Sequence, residues 1–245
     1  MKNSKDMIFG IRAIIEAIES GKTIDKILLK KDIQSDLSRE LFNYIQKDSI
    51  PVQRVPLETI NRITRKNHQG AIAFLSPVPY QQIESILPNI YEEGRLPFVV
   101  VLDGITDVRN FGAIARTCEC AGVDAIIIPQ KRSVSITADA IKTSAGALMT
   151  LPICKVASLK KTIEFLKDSG LNIVAASEKA TQSYTAVDYS QPTAIIMGSE
   201  DVGISPENLK LCNDMVAIPI LGKVQSLNVS VAAGILIYEC VKQRQ

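Results

Sequence analysis

Histidine is almost missing from this chain: His68 is the only one in 245 residues. A lone histidine in the first third, next to Arg65 and Lys66, leaves the rest of the chain without the commonest general base. Cysteine is sparse and odd in number, five in all, and no two are spaced as metal ligands are. Cys118 and Cys120 lie two apart on a predicted helix and point different ways. The five are read as reduced thiols of a cytosolic protein, with no metal. No G-x-G-x-x-G occurs, which argues against a nicotinamide-dependent oxidoreductase, and no G-x-x-x-x-G-K-[ST], which argues against a phosphate-binding loop of the NTPase kind. No apolar run reaches membrane length. The opening MKNSKDMIFG is polar and brief, so no signal peptide is expected. Internal repeats and low-complexity tracts are absent.

What remains is a chain able to bury a core, with 46% hydrophobic residues, and long enough for one large domain or two modest ones. Its net charge of +2 is unevenly spread: residues 1–80 hold 13 Lys and Arg against 9 Asp and Glu, and the remainder 15 against 17. A mildly basic first part suits an anionic partner. In it, helical spacing over Ile11–Ile18, Leu37–Ile45 and Leu57–Ile63 alternates with strand-like Ile24–Leu29, Pro51–Val55 and Gly70–Leu75. This predicts a small α/β domain over residues 1–78. Residues 79–97, with Pro79, Pro88 and Pro97, read as a linker around a weakly helical Ile83–Ile90. From residue 98 to 245, apolar runs at Phe98–Leu102, Ala125–Ile128, Ile173–Ala176, Ala194–Met197 and Met215–Ile220 alternate with helical segments. Such runs mark strands covered on both faces, hence an α/β domain with a parallel sheet.

Three strand ends there carry unusual polar density, and strand ends that feed helices are where open α/β sheets hold ligands. The first, DGITDVRNFGAIAR, places Asn110 at a helix entry and Arg116 about two turns on. Gly112 permits close approach of another backbone. The second, MGSEDVGIS, brackets Glu200 and Asp201 with glycines after a buried run. The third, IPILGKVQSLNVS, packs Gln225, Ser226, Asn228 and Ser230 into six residues, with Ser226 expected as the cap of a helix from about Leu227. Taken singly, each could be a plain helix cap, a tight turn or a solvated surface group.

Together, in order and spacing, they resemble the three motifs of the SpoU (TrmH) family of RNA ribose 2′-O-methyltransferases. IFGIRAIIEAI and NHQGAIAF are similar to that family's N-terminal RNA-binding domain. The two-domain arrangement looks most like the branch that modifies a guanosine of bacterial 23S rRNA. The resemblance implies a C-terminal α/β trefoil knot, a cytoplasmic homodimer, RNA as substrate and S-adenosylmethionine as methyl donor. Carried over, Asn110, Arg116, Glu200, Ser226 and Asn228 are the catalytic positions. Gly198, Ile218 and Leu227, with Ser177, are the donor-binding ones. Arg116 is expected to meet the target's phosphate and 2′-hydroxyl. As a guanidinium resists deprotonation, it is read as orienting and stabilising the developing alkoxide. Glu200 is expected to orient Arg116 or Asn110, with a contribution across the dimer left open. In the first domain Lys26, Lys30, Lys31 and Arg54 are candidate phosphate contacts, and Arg62, Arg65, Lys66 and His68 form the densest cluster. A tRNA substrate, or a non-catalytic RNA-binding member of the fold, are the competing readings.

Overall fold

The computed structural model describes residues 7–245. The signal-peptide reading of the opening residues therefore falls partly on 1–6, outside the described residues. The chain divides into two compact units, Met1–Pro79 with Ser135–Thr137, and Tyr80–Val134 with Ala138–Gln245.

The first unit runs β1 (Met7–Phe9), α1 (Ile11–Glu19), β2 (Ile24–Lys30), α2 (Asp36–Lys47), β3 (Val52–Val55), α3 (Leu57–Ile63) and β4 (Ala71–Leu75). The short β1 was not anticipated from sequence. Strand order is β1-β4-β2-β3; β4 is antiparallel to both neighbours, and β2 and β3 are parallel. In α1, Ile11, Ile14 and Ile15 fall at helical period and are buried with Ile27, Leu29, Leu41 and Ala73 on one face of the sheet. The other face buries Leu28, Val55 and Ile72 under Ile60 of α3. Ser35 and Ser38 cap α2 reciprocally, each side chain bonding the other's backbone N–H.

The second unit opens with α4 (Ile83–Glu92), in the stretch expected to be a linker. Its Ile83, Leu87 and Ile90, at i, i+4 and i+7, are buried, and the first two join the core cluster formed with Val99, Val101, Ile163 and Ile196. The proline-rich stretch is thus a packed element of the second unit, because its apolar stripe finds a core to cover. Seven strands follow in one parallel sheet, ordered β7-β6-β5-β10-β8-β11-β9. They are β5 (Phe98–Asp103), β6 (Ala125–Pro129), β7 (Ile153–Val156), β8 (Asn172–Ala176), β9 (Gln182–Ser183), β10 (Thr193–Gly198) and β11 (Asp214–Ala217). The helices are α5 (Val108–Cys120), α6 (Ala138–Thr143), α7 (Leu159–Asp168), α8 (Pro206–Leu209) and α9 (Val229–Gln243). Residues on both faces of the central strands are buried: Val99 and Val101 on one, Val100 and Leu102 on the other, none more than 1% exposed. Each such side chain contributes roughly 1.5–3 kcal/mol.

Three boundaries differ from expectation. β11 ends at Ala217, with Met215 exposed and Ile218 outside the ladder, because Pro219 cannot donate to a ladder. The cap of α9 is Asn228, whose side chain accepts from the Ser230 N–H at 2.9 Å, so the helix starts two residues later than a Ser226 cap would give. Asp107, and not Asn110, caps α5, accepting from the N–H groups of Arg109 and Asn110 at 2.8 Å each. All five cysteines are free in the structure. Burial pushes the thiols of Cys154, to about 12, and Cys240, to about 11, above their usual range.

The far end of α9 is clamped. The Arg244 guanidinium donates to the carbonyls of Tyr189 (2.9 Å), Leu96 (3.1 Å), Pro97 (3.3 Å) and Gln191 (2.6 Å), and sits 4.9 Å over the Phe98 ring. Glu239 is buried on the same helix beside Lys242 and Gln243. Among the described residues, no helix is long and apolar enough to cross a membrane.

Candidate active site

Because β5, β8, β10 and β11 are parallel, their exits lie on one edge of the sheet. The turn after β10 is the tightest piece. Gly203 N–H donates to the Ser199 carbonyl at 2.8 Å, and Val202 N–H to the Ser199 hydroxyl at 3.3 Å. The turn folds back so closely that a Cβ on Gly198 would lie 2.2 Å from the Gly203 carbonyl carbon and the Ile204 nitrogen. Glycine at 198 is therefore required by the chain's own return. Behind the turn, Asp103 at the end of β5 accepts from Ser205 N–H (2.8 Å) and the Asn208 amide (2.9 Å), tying β5 to α8.

This edge holds a cleft between the exits of β8, β10 and β11. Its walls include Ser177, Gly198, Ile218 and Leu227, all four expected donor-binding positions, together with Glu200 and Ser226. Apolar Met197, Val216, Ile220, Val229 and Leu236 add to it; Ile220 and Val229 lie within the third motif. Among the described residues, 218–227 make no hydrogen bond to other parts of the protein. A ten-residue loop with free backbone donors and acceptors beside apolar walls can hold a flat heteroaromatic ligand by its polar edge.

Three of the five expected catalytic residues form one network within a single chain. The Asn110 amide donates to Glu200 Oε1 at 2.8 Å. The Asn228 amide donates to the same oxygen at 3.1 Å and to Asn110 Oδ1 at 3.0 Å. The remaining oxygen of Asn228 accepts from the Ser230 N–H and its hydroxyl, the latter at 2.5 Å. Each amide orientation is therefore fixed by its partners. Of the two partners expected for Glu200, it is hydrogen-bonded to Asn110 within this chain. Ser230 joins the network as a residue not assigned a role from sequence, although its place in the polar corner pointed to it.

Arg116 stands apart. It is exposed, is not among the residues lining the cleft that holds Gly198, Ile218 and Leu227, and has no polar partner among the described residues. Six residues beyond Asn110, it is about 9 Å further along α5 and rotated about 120° from it. Gly112, between them, lets α5 approach α6: an added Cβ would meet Thr143 Cβ at 2.6 Å. In the first unit Arg62, Arg65 and Lys66 are exposed, and Lys66 Nζ lies 5.5 Å over the Phe9 ring. His68 differs from them. It is 9% exposed, its Nδ1 accepts from Gly70 N–H at 3.0 Å, and its Nε2 pairs with Asn61 Oδ1 at 2.8 Å. With Nδ1 accepting, the proton sits on Nε2 and donates to Asn61. His68 thus has both ring nitrogens occupied in holding the loop that carries Arg65 and Lys66.

The second unit is an α/β domain with a parallel sheet and, at its strand exits, a cleft next to a polar network. The sequence profile of the SpoU rRNA Methylase family matches residues 97–238, and that described as RNA 2′-O ribose methyltransferase substrate binding matches residues 7–81. The chain belongs to the SpoU family of RNA methyltransferases. A Staphylococcus saprophyticus protein assigned to the TrmH family of tRNA/rRNA methyltransferases is 37% identical over 238 residues, 97% of this chain and 96% of its own length. The AdoMet-bound rRNA methyltransferase of Sinorhizobium meliloti superposes with a TM-score of 0.63 at 24% identity, over 98% of this chain and 87% of that one. The TrmH/SpoU tRNA modifying enzyme of A. aeolicus gives 0.55 at 31% identity, over 66% and 84%.

Proposed function

We propose that this chain transfers a methyl group from S-adenosylmethionine to a ribose 2′-hydroxyl of RNA, with a guanosine of bacterial 23S rRNA as the target. The observation that carries the reading is the convergence of Asn110, Glu200 and Asn228 on one hydrogen-bonded network beside the cleft lined by Gly198, Ile218 and Leu227. The donor supplies an electrophilic methyl on a sulfonium; the C–S bond breaks as the ribose oxygen attacks in line, and the hydroxyl proton leaves to phosphate or water. The chain supplies position, worth a large part of the barrier when reacting atoms are held in line. The free backbone groups of 218–227 take the donor's adenine edge, and Ser177 and Ser226 border it. The carboxylate of Glu200 fixes the two asparagine amides that meet the ribose.

Arg116 orients the target and stabilises the developing alkoxide. It does not line the cleft that holds Gly198, Ile218 and Leu227, so in this reading it serves the second chain of a homodimer. Exposed Val231 and Tyr238, seven residues apart on α9 and each 51% exposed, supply an apolar stripe for that contact. The threaded C-terminus implied by the family resemblance, and a cytoplasmic setting, belong to the same reading. The basic Arg62–Lys66 segment of the first unit contacts RNA phosphates.

Mapping of ribose methylation in rRNA and tRNA from cells with and without the gene tests the substrate: one 23S guanosine is expected to lose its methyl group. Loss confined to a tRNA nucleoside would assign the tRNA substrate instead, and unchanged ribose methylation in both would overturn the activity. Mixing an Arg116→Ala chain with a Gly198→Ala chain tests the shared site, since mixed dimers regain one intact site.

A further inference from the structure

A second cleft of about 240 Å³ opens on the same edge, on the other side of the β10 turn. Where the first lies among the exits of β8, β10 and β11, this one lies between the exits of β5 and β10. Its walls include Thr106, Asp107, Asn110, Arg132 and Asp201, and it shares Ser199, Glu200 and Val229 with the first. Two clefts with a common wall, in which Glu200 also holds Asn110 of the second cleft and Asn228 at the entry of α9, are what transfer between two bound molecules requires. The second cleft also has a chemistry of its own. Arg132 is its only cation, exposed and without a polar partner among the described residues. Its backbone is in the left-handed region, φ 54°, which an arginine rarely occupies and which tends to persist at ligand-holding turns. In the same cleft, Asp201 is exposed and likewise has no polar partner among the described residues, whereas Glu200 is committed to the two asparagines.

We propose that this second cleft seats the target nucleotide, with Arg132 taking its phosphate and Asp201 accepting from its base edge. The inference rests on the methyl-transfer reading above and adds to it a site and two residues. A guanidinium fork suits a phosphate. A carboxylate close to a base is compatible only with N–H donors, and guanine is the RNA base that offers two adjacent ones, N1–H and the N2 amine. The committed side chains of Asn110 and Asn228 then face the ribose, between base and donor.

The test uses the full chain loaded with S-adenosylhomocysteine, whose binding is first measured by calorimetry. Guanosine monophosphate, as the 3′ or the 5′ isomer, is expected to bind roughly tenfold tighter than guanosine, the scale of one good charged contact. Arg132→Ala removes that preference and Arg132→Lys keeps part of it. Wild type prefers guanosine to inosine monophosphate, which lacks the N2 amine, and Asp201→Asn erases the difference. Both variants keep their S-adenosylhomocysteine affinity, and Arg132→Ala raises KM for rRNA. Nucleotide binding indifferent to both substitutions, or absent although the wild type methylates RNA, overturns the assignment of this cleft. A wild type that binds no S-adenosylhomocysteine and methylates no RNA overturns the underlying function instead.

Discussion

The two units solve the problem of presenting functional groups in opposite ways. In the second, every strand of a seven-stranded sheet points the same way, so the exits of β5, β8, β10 and β11 meet on one edge and their loops build clefts. In the first, β4 runs against both of its neighbours, so strand exits are divided between two edges and no such gathering occurs. Its candidate groups are instead an exposed loop, Thr64 to Gln69, stiffened from beneath by His68. Parallel order concentrates chemistry on small molecules; mixed order leaves a surface suited to a long polyanion. The contrast predicts that substitutions in the second unit alter transfer or the binding of donor or target nucleotide, and that those in the first alter RNA affinity alone.

The largest effect is expected at Arg116. Replacement by Ala should lower the transfer rate at least ~100-fold, the scale of one lost transition-state donor, with S-adenosylhomocysteine affinity unchanged by calorimetry. Arg116→Lys showing near-wild-type turnover would remove the need for a planar guanidinium. Gly198→Ala should follow. The intruding methyl meets backbone and not a flexible side chain, so the turn must shift, with a stability loss of about 1–3 kcal/mol by thermal melting and weakened donor binding. Unaltered donor affinity here would break the link between the edge and the donor. In the first unit, Arg65→Glu with Lys66→Glu should weaken RNA binding at low salt and flatten its dependence on salt, each lost phosphate contact reducing the slope by about 0.7 for single strands. Donor affinity should not move; a change in it would blur the division between units. Asn228→Ala removes a helix cap and two amide bonds, costing about 1–2 kcal/mol, whereas Asn228→Asp keeps the cap and isolates the network's part in turnover. Smallest of all, exposed Cys120 should alkylate rapidly in the native protein while buried Cys118, Cys154 and Cys240 do not, as mass spectrometry would read.

Much of the sheet was legible because apolar runs such as Phe98–Leu102 have no other comfortable fate than burial on both faces. Ile153–Val156 escaped notice since it is four residues long and holds Lys155, and Gln182–Ser183 since two polar residues carry no period. The packed helix at Ile83–Glu92 was obscured by Pro88 inside it: its stripe predicted a helix, but only a core to cover decides whether a helix docks. Between Ser226 and Asn228, both good caps, local chemistry does not choose. The choice falls to Asn228, whose amide also reaches Glu200 and Asn110 from far along the chain. The positions lining the first cleft were reached through motif resemblance, and strand order then supplies the reason they meet. The separation of Arg116 from that cleft could not be read at all, because it depends on the rotational setting of α5 against the sheet.

The grip of Arg244 on four carbonyls has a reach beyond its own neighbourhood. α9 is a rod of fifteen residues, about 22 Å long, with Asn228 at one tip and this guanidinium at the other. Whatever loosens the distal anchor lets the whole rod creep along its axis, and a slip of a single ångström is enough to pull an amide out of hydrogen-bonding range of Glu200. An Arg244→Ala chain should therefore be fully folded yet sluggish, a lesion in alignment transmitted from the opposite end of the domain.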